Sequence, residues 1–170
     1  MRDEPTPIDV SVDGFGVGIY EVTRAEWLAC ERAGACRTLT NKNKWQSMKA
    51  PIGGVTFQDT QDYIAWLNTE SGQIYRLPTE VEWEFAARSG KATPFMTGDM
   101  IEPSQASYDY SASYKGSRRA EYRGAAESVG SFEPNRFGLF DMHGNMWEWA
   151  CSDFTGDACE TPILRGGSYK

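Results

Sequence analysis

Three helix starts in the first half of the chain restrict its fold more than any other feature of the sequence. Each is a threonine followed three residues later by an acidic residue, the pattern of a capping box, in which hydroxyl and carboxylate accept hydrogen bonds from each other's backbone N–H groups. The pairs are Thr23 and Glu26, Thr56 and Asp59, and Thr79 and Glu82. Because apolar residues at helical spacing follow each pair, we predict three short helices.

Glycines indicate where the second and third helices stop. Gly72 and Gly90 each follow a serine at the end of an apolar helical pattern. Within the third helix, Val81, Phe85 and Ala86 are predicted to face inward.

Short strands and ordered loops are predicted for the remaining chain. Residues 8–22 alternate apolar and polar residues on both sides of Asp13-Gly14, which favours two strands joined by a hairpin turn. Residues 37–50 are polar and predict a loop. Residues 93–132 have no long periodic segment but contain recurring tyrosines, which indicates a long ordered loop region with short strands. Turns and short strands alternate after that.

The four cysteines fall into two local pairs, Cys30 with Cys36 and Cys151 with Cys159. Structural zinc prefers tighter cysteine spacings, so two short disulfide loops fit better, and these imply an oxidising compartment. Four separate buried thiols are the alternative. A bridge from Cys30 to Cys36 needs Cα atoms within about 7 Å. The first helix must therefore stop between them, where Gly34 stands.

Length and charge restrict the class of protein and of partner. With 170 residues, 40% of them hydrophobic, the chain is predicted to form one domain over residues 1–170. Its net charge of −7, with no basic cluster larger than Arg118-Arg119, argues against nucleic acid and anionic membrane partners. No apolar run approaches the roughly 18 residues of a spanning helix, so no membrane insertion is expected. Since the first residues lack a signal core, the protein is either cytosolic or has lost a leader.

Residues 138–149 concentrate two carboxylates, two glycines and two tryptophans in one short span. Asp141 and Glu148 can offer carboxylate oxygens, and the backbone carbonyls between them can supply others. Ca²⁺ prefers such a set, with six to eight oxygens at about 2.3–2.6 Å. The alternative is a glycine-kinked turn followed by an aromatic core strand, with both acids solvated.

Six stretches carry a family resemblance in their order along the chain. They are YEVTRAEW from Tyr20, PIGGVTF from Pro51, YRLPTEVEWEFAAR from Tyr75, VGSFEPNRFG from Val129, residues 138–149, and LRGGSY from Leu164. Together they resemble the formylglycine-generating-enzyme (sulfatase-modifying factor) family. The resemblance implies an α+β, C-type-lectin-like fold, with short helices around a twisted antiparallel sheet and long ordered loops.

A structural Ca²⁺ site is implied by the same resemblance, because the family segment that corresponds to residues 138–149 binds this ion. Carried over to this chain, Asp141 and Glu148 are expected to ligate by side chain. Gly144 and Met146 are expected to ligate by backbone carbonyl.

Two other metal sites of the family are poorly matched. Its second Ca²⁺ site has Ser107 and Tyr108 here in place of an Asn-led pair, and Ala120, with Glu121 beside it, falls near the expected aspartate. Its catalytic Cu(I) is held by two cysteines just after the segment that matches residues 164–169, and none of the four cysteines lies there. No copper is therefore expected.

The cysteine pattern resembles a bacterial, disulfide-bearing branch of the family that lacks the copper cysteines. Members of this branch occur as sensory or accessory domains, some linked to Ser/Thr kinases or to secretion-system regulation. The resemblance implies a non-catalytic binding or regulatory domain, periplasmic or secreted, with an unidentified protein or small-molecule ligand. One alternative is a truncated formylglycine-generating oxidase, without its last segment, acting on a sulfatase cysteine. Another is a ligand-display protein of C-type lectin fold.

The usual C-terminal segment of the family, which closes the sheet with a strand, is not in this sequence. Either the sequence is a truncated form, or the fold has an exposed sheet edge, and such an edge can pair with another chain. Arg165 and the tyrosines at 108, 110, 114 and 122 either line a recognition surface or pack the loops. His143 is interpreted as a turn residue.

Overall fold

The computed structural model describes residues 10–39, 47–111, 116, 124–156 and 158–170. Within them, three helices precede four short strands, which confirms the predicted α+β class. They are α1 (Arg24–Arg32), α2 (Phe57–Ser71), α3 (Glu80–Arg88), β1 (Glu148–Cys151), β2 (Phe154–Thr155), β3 (Ala158–Cys159) and β4 (Pro162–Arg165). None of these helices combines the length and the apolar character needed to cross a bilayer.

Each helix begins at the predicted threonine, because all three capping boxes form. At α1 the Glu26 N–H donates to Thr23 Oγ1 at 3.3 Å, and the Thr23 N–H donates to a Glu26 carboxylate oxygen at 2.7 Å. The pairs at α2 and α3 are reciprocal in the same way. Each pair satisfies two backbone N–H groups that a helix start otherwise leaves without partners.

The first helix ends between its two cysteines, as predicted. Gly34 has φ +75°, the Ala35 N–H donates to Cys30 O at 3.2 Å, and the Gly34 N–H donates to Glu31 O at 2.9 Å. This pair of bonds is a Schellman ending, which turns the chain back on the helix. Cys36 thereby reaches Cys30, with a Cα–Cα distance of 5.3 Å, and the first disulfide forms.

The strands form two small antiparallel sheets. β1 pairs with β4, with Trp149 opposite Leu164, and β2 pairs with β3. The second predicted disulfide joins Cys151 in β1 to Cys159 in β3, with a Cα–Cα distance of 5.8 Å. The Cys151 N–H donates to Pro78 O at 3.0 Å, so β1 also lies against the chain that enters α3.

The strand prediction for residues 8–22 was wrong over the described residues, 10–22, none of which lies in a strand. Gly14 does not adopt the positive φ that a two-residue Asp-Gly hairpin turn requires. Phe15 packs on the α3 cluster, whereas Val17 and Ile19 are exposed. Since Val10 is exposed as well, the alternation does not correspond to a buried face of this irregular segment. Residues 8 and 9 lie outside the described residues.

The third helix buries a different face from the predicted one. Ala86 is buried as expected, but Val81 and Phe85 are 44% and 45% exposed. Trp83 and Ala87 take the inward positions instead, because the larger indole removes more apolar area from water. This face packs against the loop before β1 and β1 itself, in a cluster completed by Leu139, Met142 and Ala150.

A second cluster joins α1 to α2, with the rings of Trp27 and Tyr63 stacked at 5.6 Å.

Between α3 and the 138–149 loop, the described parts of residues 93–132 contain turns and one isolated bridge but no strand. The prediction of short strands there is therefore wrong for these residues. Tyr108 and Tyr110 donate their hydroxyls to backbone carbonyls 2.9 and 2.7 Å away. They therefore pack the loop. Tyr114, Tyr122 and the middle of the predicted 37–50 loop lie outside the described residues.

Candidate metal centre in the 138–149 loop

Left-handed backbone at four positions gives the 138–149 loop its shape. Gly138, Asp141, Gly144 and Asn145 have φ of +79°, +56°, +84° and +58°. Aspartate and asparagine tolerate this region better than other side chains, and glycine does so without cost. At Gly144 a second constraint applies, since a Cβ would lie 2.1 Å from Ser107 O. Only glycine fits there.

Asn145 is fully buried and connects the loop to four distant segments. Its N–H donates to Ser107 O at 2.7 Å, and its carbonyl accepts from the Tyr169 N–H at 2.9 Å. Its side-chain oxygen accepts from the Glu127 N–H at 2.9 Å, and its amide nitrogen donates to Glu21 Oε2 at 2.7 Å. The loop is therefore fixed by backbone and amide hydrogen bonds rather than by apolar packing alone.

Sequence reasoning missed Glu21 as a site residue. Its second oxygen, Oε1, accepts from the Met146 N–H at 2.9 Å, so the carboxylate spans two residues of the loop from 124 positions away. Burial and then the charges of Glu148 and Asp141 raise the pKa of Glu21 to about 9. Three carboxylates therefore lie within electrostatic reach of one another.

The two predicted side-chain ligands each keep an oxygen for a further partner. Asp141 Oδ2 accepts from the Gly130 N–H at 2.8 Å, while its Oδ1 is buried and makes no hydrogen bond in the structure. Glu148 Oε2 accepts from the Trp83 indole N–H at 2.7 Å. Burial raises the pKa of Asp141, and burial raises the pKa of Glu148 to about 7 despite the Trp83 hydrogen bond.

These features fit a hard cation better than a solvated turn. No lysine, arginine or histidine in the described segments pairs with Glu21, Asp141 or Glu148. In the same segments, neither the Gly144 nor the Met146 carbonyl accepts a backbone hydrogen bond. The predicted ligand set thus offers carboxylate and carbonyl oxygens in a buried, negatively charged loop, which is the chemistry Ca²⁺ prefers.

Side chains alone do not form a metal cage. Among the described residues, no three acidic, histidine or cysteine side chains converge closely enough to hold an ion. The predicted set does not require this, since two of its four members act through backbone carbonyls. Of the weaker second site, Ser107 is buried with its carbonyl on Asn145, and positions 120 and 121 lie outside the described residues.

His143 is more than the turn residue predicted for it. Its Nε2 accepts from the Met96 N–H at 3.1 Å, and the Phe95 ring stands edge-on to the imidazole at 5.5 Å. Burial lowers the pKa of His143 to about 4, so the imidazole is neutral at pH 7. The histidine thereby ties the 138–149 loop to the chain around residue 95.

Comparisons with known proteins identify the family of this chain. The family model described as "Sulfatase-modifying factor enzyme 1-like domain" matches residues 2–170. "Inactive C-alpha-formylglycine-generating enzyme 2" of Bos taurus is 32% identical over 126 residues, which cover 73% of this chain and 40% of the bovine protein. "Serine/threonine-protein kinase pkn1" of Chlamydia pneumoniae is 36% identical over 140 residues, which cover 72% of this chain and 19% of the kinase. The chain thus spans less than half the length of either relative.

A solved structure supports the fold independently. The chain superposes on PvdO from Pseudomonas aeruginosa with a TM-score of 0.68 at 28% identity, covering 88% of this chain and 66% of that one. The expected formylglycine-generating-enzyme-like fold is therefore confirmed.

Proposed function

Because the chain belongs to the sulfatase-modifying factor (formylglycine-generating enzyme) family, we propose that it is a non-catalytic binding or regulatory domain whose 138–149 loop is held by a structural Ca²⁺ ion. The observation that carries the non-catalytic part is the state of the cysteines. All four are consumed in the Cys30–Cys36 and Cys151–Cys159 disulfides.

Copper oxidation of a substrate cysteine needs thiolates that this chain does not offer. Cu(I) is a soft ion and is bound by free thiolates rather than by disulfide sulfur. The similarity to a bovine protein named as inactive supports the same conclusion. The similarity to a segment of a chlamydial kinase supports a regulatory use of such a domain. Linkage of this chain to a kinase or to a secretion-system regulator is part of the proposal.

The Ca²⁺ part of the proposal is supported by Asp141, Glu148 and the free carbonyls of Gly144 and Met146. When bound, the ion supplies positive charge to a buried loop that has none of its own among the described residues. This chain's residues then hold the loop against Ser107 and Tyr169 through Asn145. The ion has no role in a reaction in this proposal.

A periplasmic or secreted location belongs to the same proposal. Disulfides persist in oxidising compartments and are rare in the cytosol of most organisms. Both disulfides close short loops that end a helix or join two strands, so reduction would loosen α1 and β1 directly.

The non-catalytic part is tested with Cu(I) and a cysteine-bearing sulfatase peptide under O₂. We expect no stoichiometric copper binding, no mass change of the peptide, and no reactive thiol when the protein is unfolded without reductant. A catalytically competent family member, assayed in parallel, is the positive control. Copper binding at one equivalent with oxidation of the peptide would overturn the proposal.

A further inference from the structure

A cavity of about 290 Å³ lies between α3, β4 and the 138–149 loop. Its α3 wall includes Glu84 and Arg88, its β4 wall includes Leu164 and Arg165, and Trp147 and His143 come from the loop. The volume lies near the lower end of the range for ligand pockets, so the cavity suits something smaller than a drug-sized molecule.

Cationic groups outnumber anionic ones on the walls of this cavity. The Arg88 Nε donates to one Glu84 oxygen at 2.6 Å, and an Arg165 amino group donates to the other. One carboxylate thus serves two guanidinium groups. Glu80, outside the lining, also reaches Arg165 at 3.4 Å, so the feature that favours an anionic ligand is the spare guanidinium donors rather than a net local charge.

The two arginines are held in place without using all of their donors. The Arg165 guanidinium lies over the Trp83 ring at 5.1 Å, and a second amino group reaches Glu80 at 3.4 Å. Arg88 also donates through Nη1 to Thr93 O at 2.9 Å, while its Nη2 makes no hydrogen bond to any described residue. Preorganised arginine donors suit a carboxylate because their geometry matches its two oxygens.

His143 adds a neutral donor at the same cavity. Its Nε2 accepts the Met96 N–H, which leaves the ring hydrogen of the neutral imidazole on Nδ1. That nitrogen makes no hydrogen bond within the described residues.

The remaining walls are apolar and unusually open. Trp147 is 51% exposed and Leu164 is 44% exposed, although both are large apolar residues at the cavity. A flat apolar group would cover them, since indole faces bind rings and hydrocarbon through the area they remove from water.

We propose that this cavity binds a small organic anion, a carboxylate joined to a flat apolar group, with Arg88 and His143 as its polar partners and Trp147 and Leu164 as its apolar ones. The carboxylate and ring come either from a free small molecule or from the C-terminal residue of a peptide. The inference gives a ligand class to the binding role proposed above and rests on it.

The test uses the full chain in Ca²⁺, with 3-phenylpropanoate and its uncharged amide as probes, and with NMR shifts of the tryptophan indole N–H groups as readout. We expect saturable binding of the acid that shifts the Trp147 signal, and affinity for the amide lower by about tenfold, the loss of a charge-assisted hydrogen bond. Arg88→Gln should weaken binding by a similar factor, and Trp147→Ala by about fivefold.

Matched controls separate local from general effects. Arg32→Gln removes an exposed arginine outside the cavity, and Phe137→Ala removes an aromatic ring with the same 50% exposure, so both should bind the acid normally. A peptide ending in phenylalanine, with a free or amidated terminus, distinguishes the two sources. If the peptide with the free terminus binds much more tightly than the amidated peptide, the site is assigned to peptide ends. If the two peptides bind equally, the site is assigned to small molecules.

Three results would overturn the inference: equal affinity for acid and amide, shifts confined to other tryptophans, or identical behaviour of Arg88→Gln and Arg32→Gln. Circular dichroism on each variant verifies that it is folded. Failure here would not affect the separate test of the structural Ca²⁺ ion, which compares the melting temperature in Ca²⁺ and in EDTA. Failure of that measurement, with probe binding intact, would remove only the cation.

Discussion

Two groups of carboxylates in this molecule experience opposite electrostatics. At the starts of α2 and α3, hydrogen bonds from Arg37 and Arg76 lower the pKa of Asp59 and the pKa of Glu82, each to about 2. In the 138–149 loop, burial raises the pKa of Glu148 to about 7, and the pKa of Glu21 to about 9.

The difference lies in the partners of each carboxylate as well as in its burial. Asp59 and Glu82 are buried residues, as is Asp141, but each of the first two has a guanidinium within 2.7 Å. A buried carboxylate must be paired, protonated or bound to a cation. The carboxylates at the helix starts are paired with arginines of the chain. Those of the loop need a bound cation or protons instead.

The largest expected effect comes from breaking the loop at Gly144. Gly144→Ala places a Cβ against Ser107 O at a left-handed φ, so we expect a loss of about 3–5 kcal/mol in unfolding free energy from strain and overlap together. Gly90→Ala is the matched control, because Gly90 has φ +82° with no atom near its Cβ position. It should cost about 1 kcal/mol, the strain alone. Urea denaturation of both variants measures the difference, and equal losses would show that the close approach to Ser107 does not matter.

Adding Ca²⁺ is expected to have the next largest effect. At a Ca²⁺ concentration 100 times Kd, the ion should stabilise the protein by about 2.7 kcal/mol and raise its Tm above the value in EDTA. Glu148→Gln should abolish this shift, whereas Glu133→Gln, which removes an exposed acid elsewhere, should keep it. Differential scanning calorimetry measures the Tm of the wild type and of both variants, each in Ca²⁺ and in EDTA. If wild type melts at one temperature in Ca²⁺ and EDTA, the loop is a turn without an ion.

The local features of this chain were predictable because their causes lie within a few residues. A capping box needs only Thr23 and the residue three positions on. The Cys30–Cys36 bridge needs only a helix stop between its ends, and Gly34 provides it. The strand prediction for residues 10–22 was wrong for the complementary reason. Their alternation fixes a periodicity, but a strand also needs a neighbouring backbone, and the sequence does not say whether one is present.

The candidate site was half predictable on the same grounds. Asp141 and Glu148 stand in one short segment, whereas Glu21 reaches that segment from 124 positions away through Asn145 and Met146. The one available signal was an acid between the apolar residues Tyr20 and Val22, just before a cap. The inward face of α3 was missed because Trp83, rather than Val81, fills the space beside β1.

The two groups of carboxylates should also give the stability of the fold opposite dependences on pH. A folded pKa above the ordinary value of 4.5 stabilises the fold below about pH 4.5, and this contribution is lost as pH rises through the folded pKa. In EDTA, we therefore expect Tm to fall as pH rises through about 7 and on to about 9, as Glu148 and then Glu21 ionise. Glu21→Gln should flatten the upper part of this fall, and saturating Ca²⁺ should remove it. A Tm in EDTA that is flat from pH 5 to 9 would contradict the uncompensated charge.

The smallest expected effect comes from a variant that leaves a helix-start carboxylate without a cation, like those of the loop. Arg76 donates twice to Glu82 at 2.7 Å, and Arg76→Met leaves that buried carboxylate without its cation. Because the Arg76 side chain is half exposed, we expect a loss of only about 1 kcal/mol in unfolding free energy at pH 7.

The clearer result of Arg76→Met is expected at acid pH. A folded pKa of about 2 gives stability that is present above the ordinary value of 4.5 and is lost as pH falls toward 2. Without Arg76 the pKa of Glu82 rises, so its share of that loss should disappear or reverse and acid unfolding should become less steep. Arg32→Met, which removes an exposed arginine with no ion pair to a described residue, should leave the steepness unchanged in a circular-dichroism acid titration. Identical acid curves for the two variants would mean that Arg76 does not set the charge state of Glu82, and the contrast with the loop would then lose its electrostatic basis.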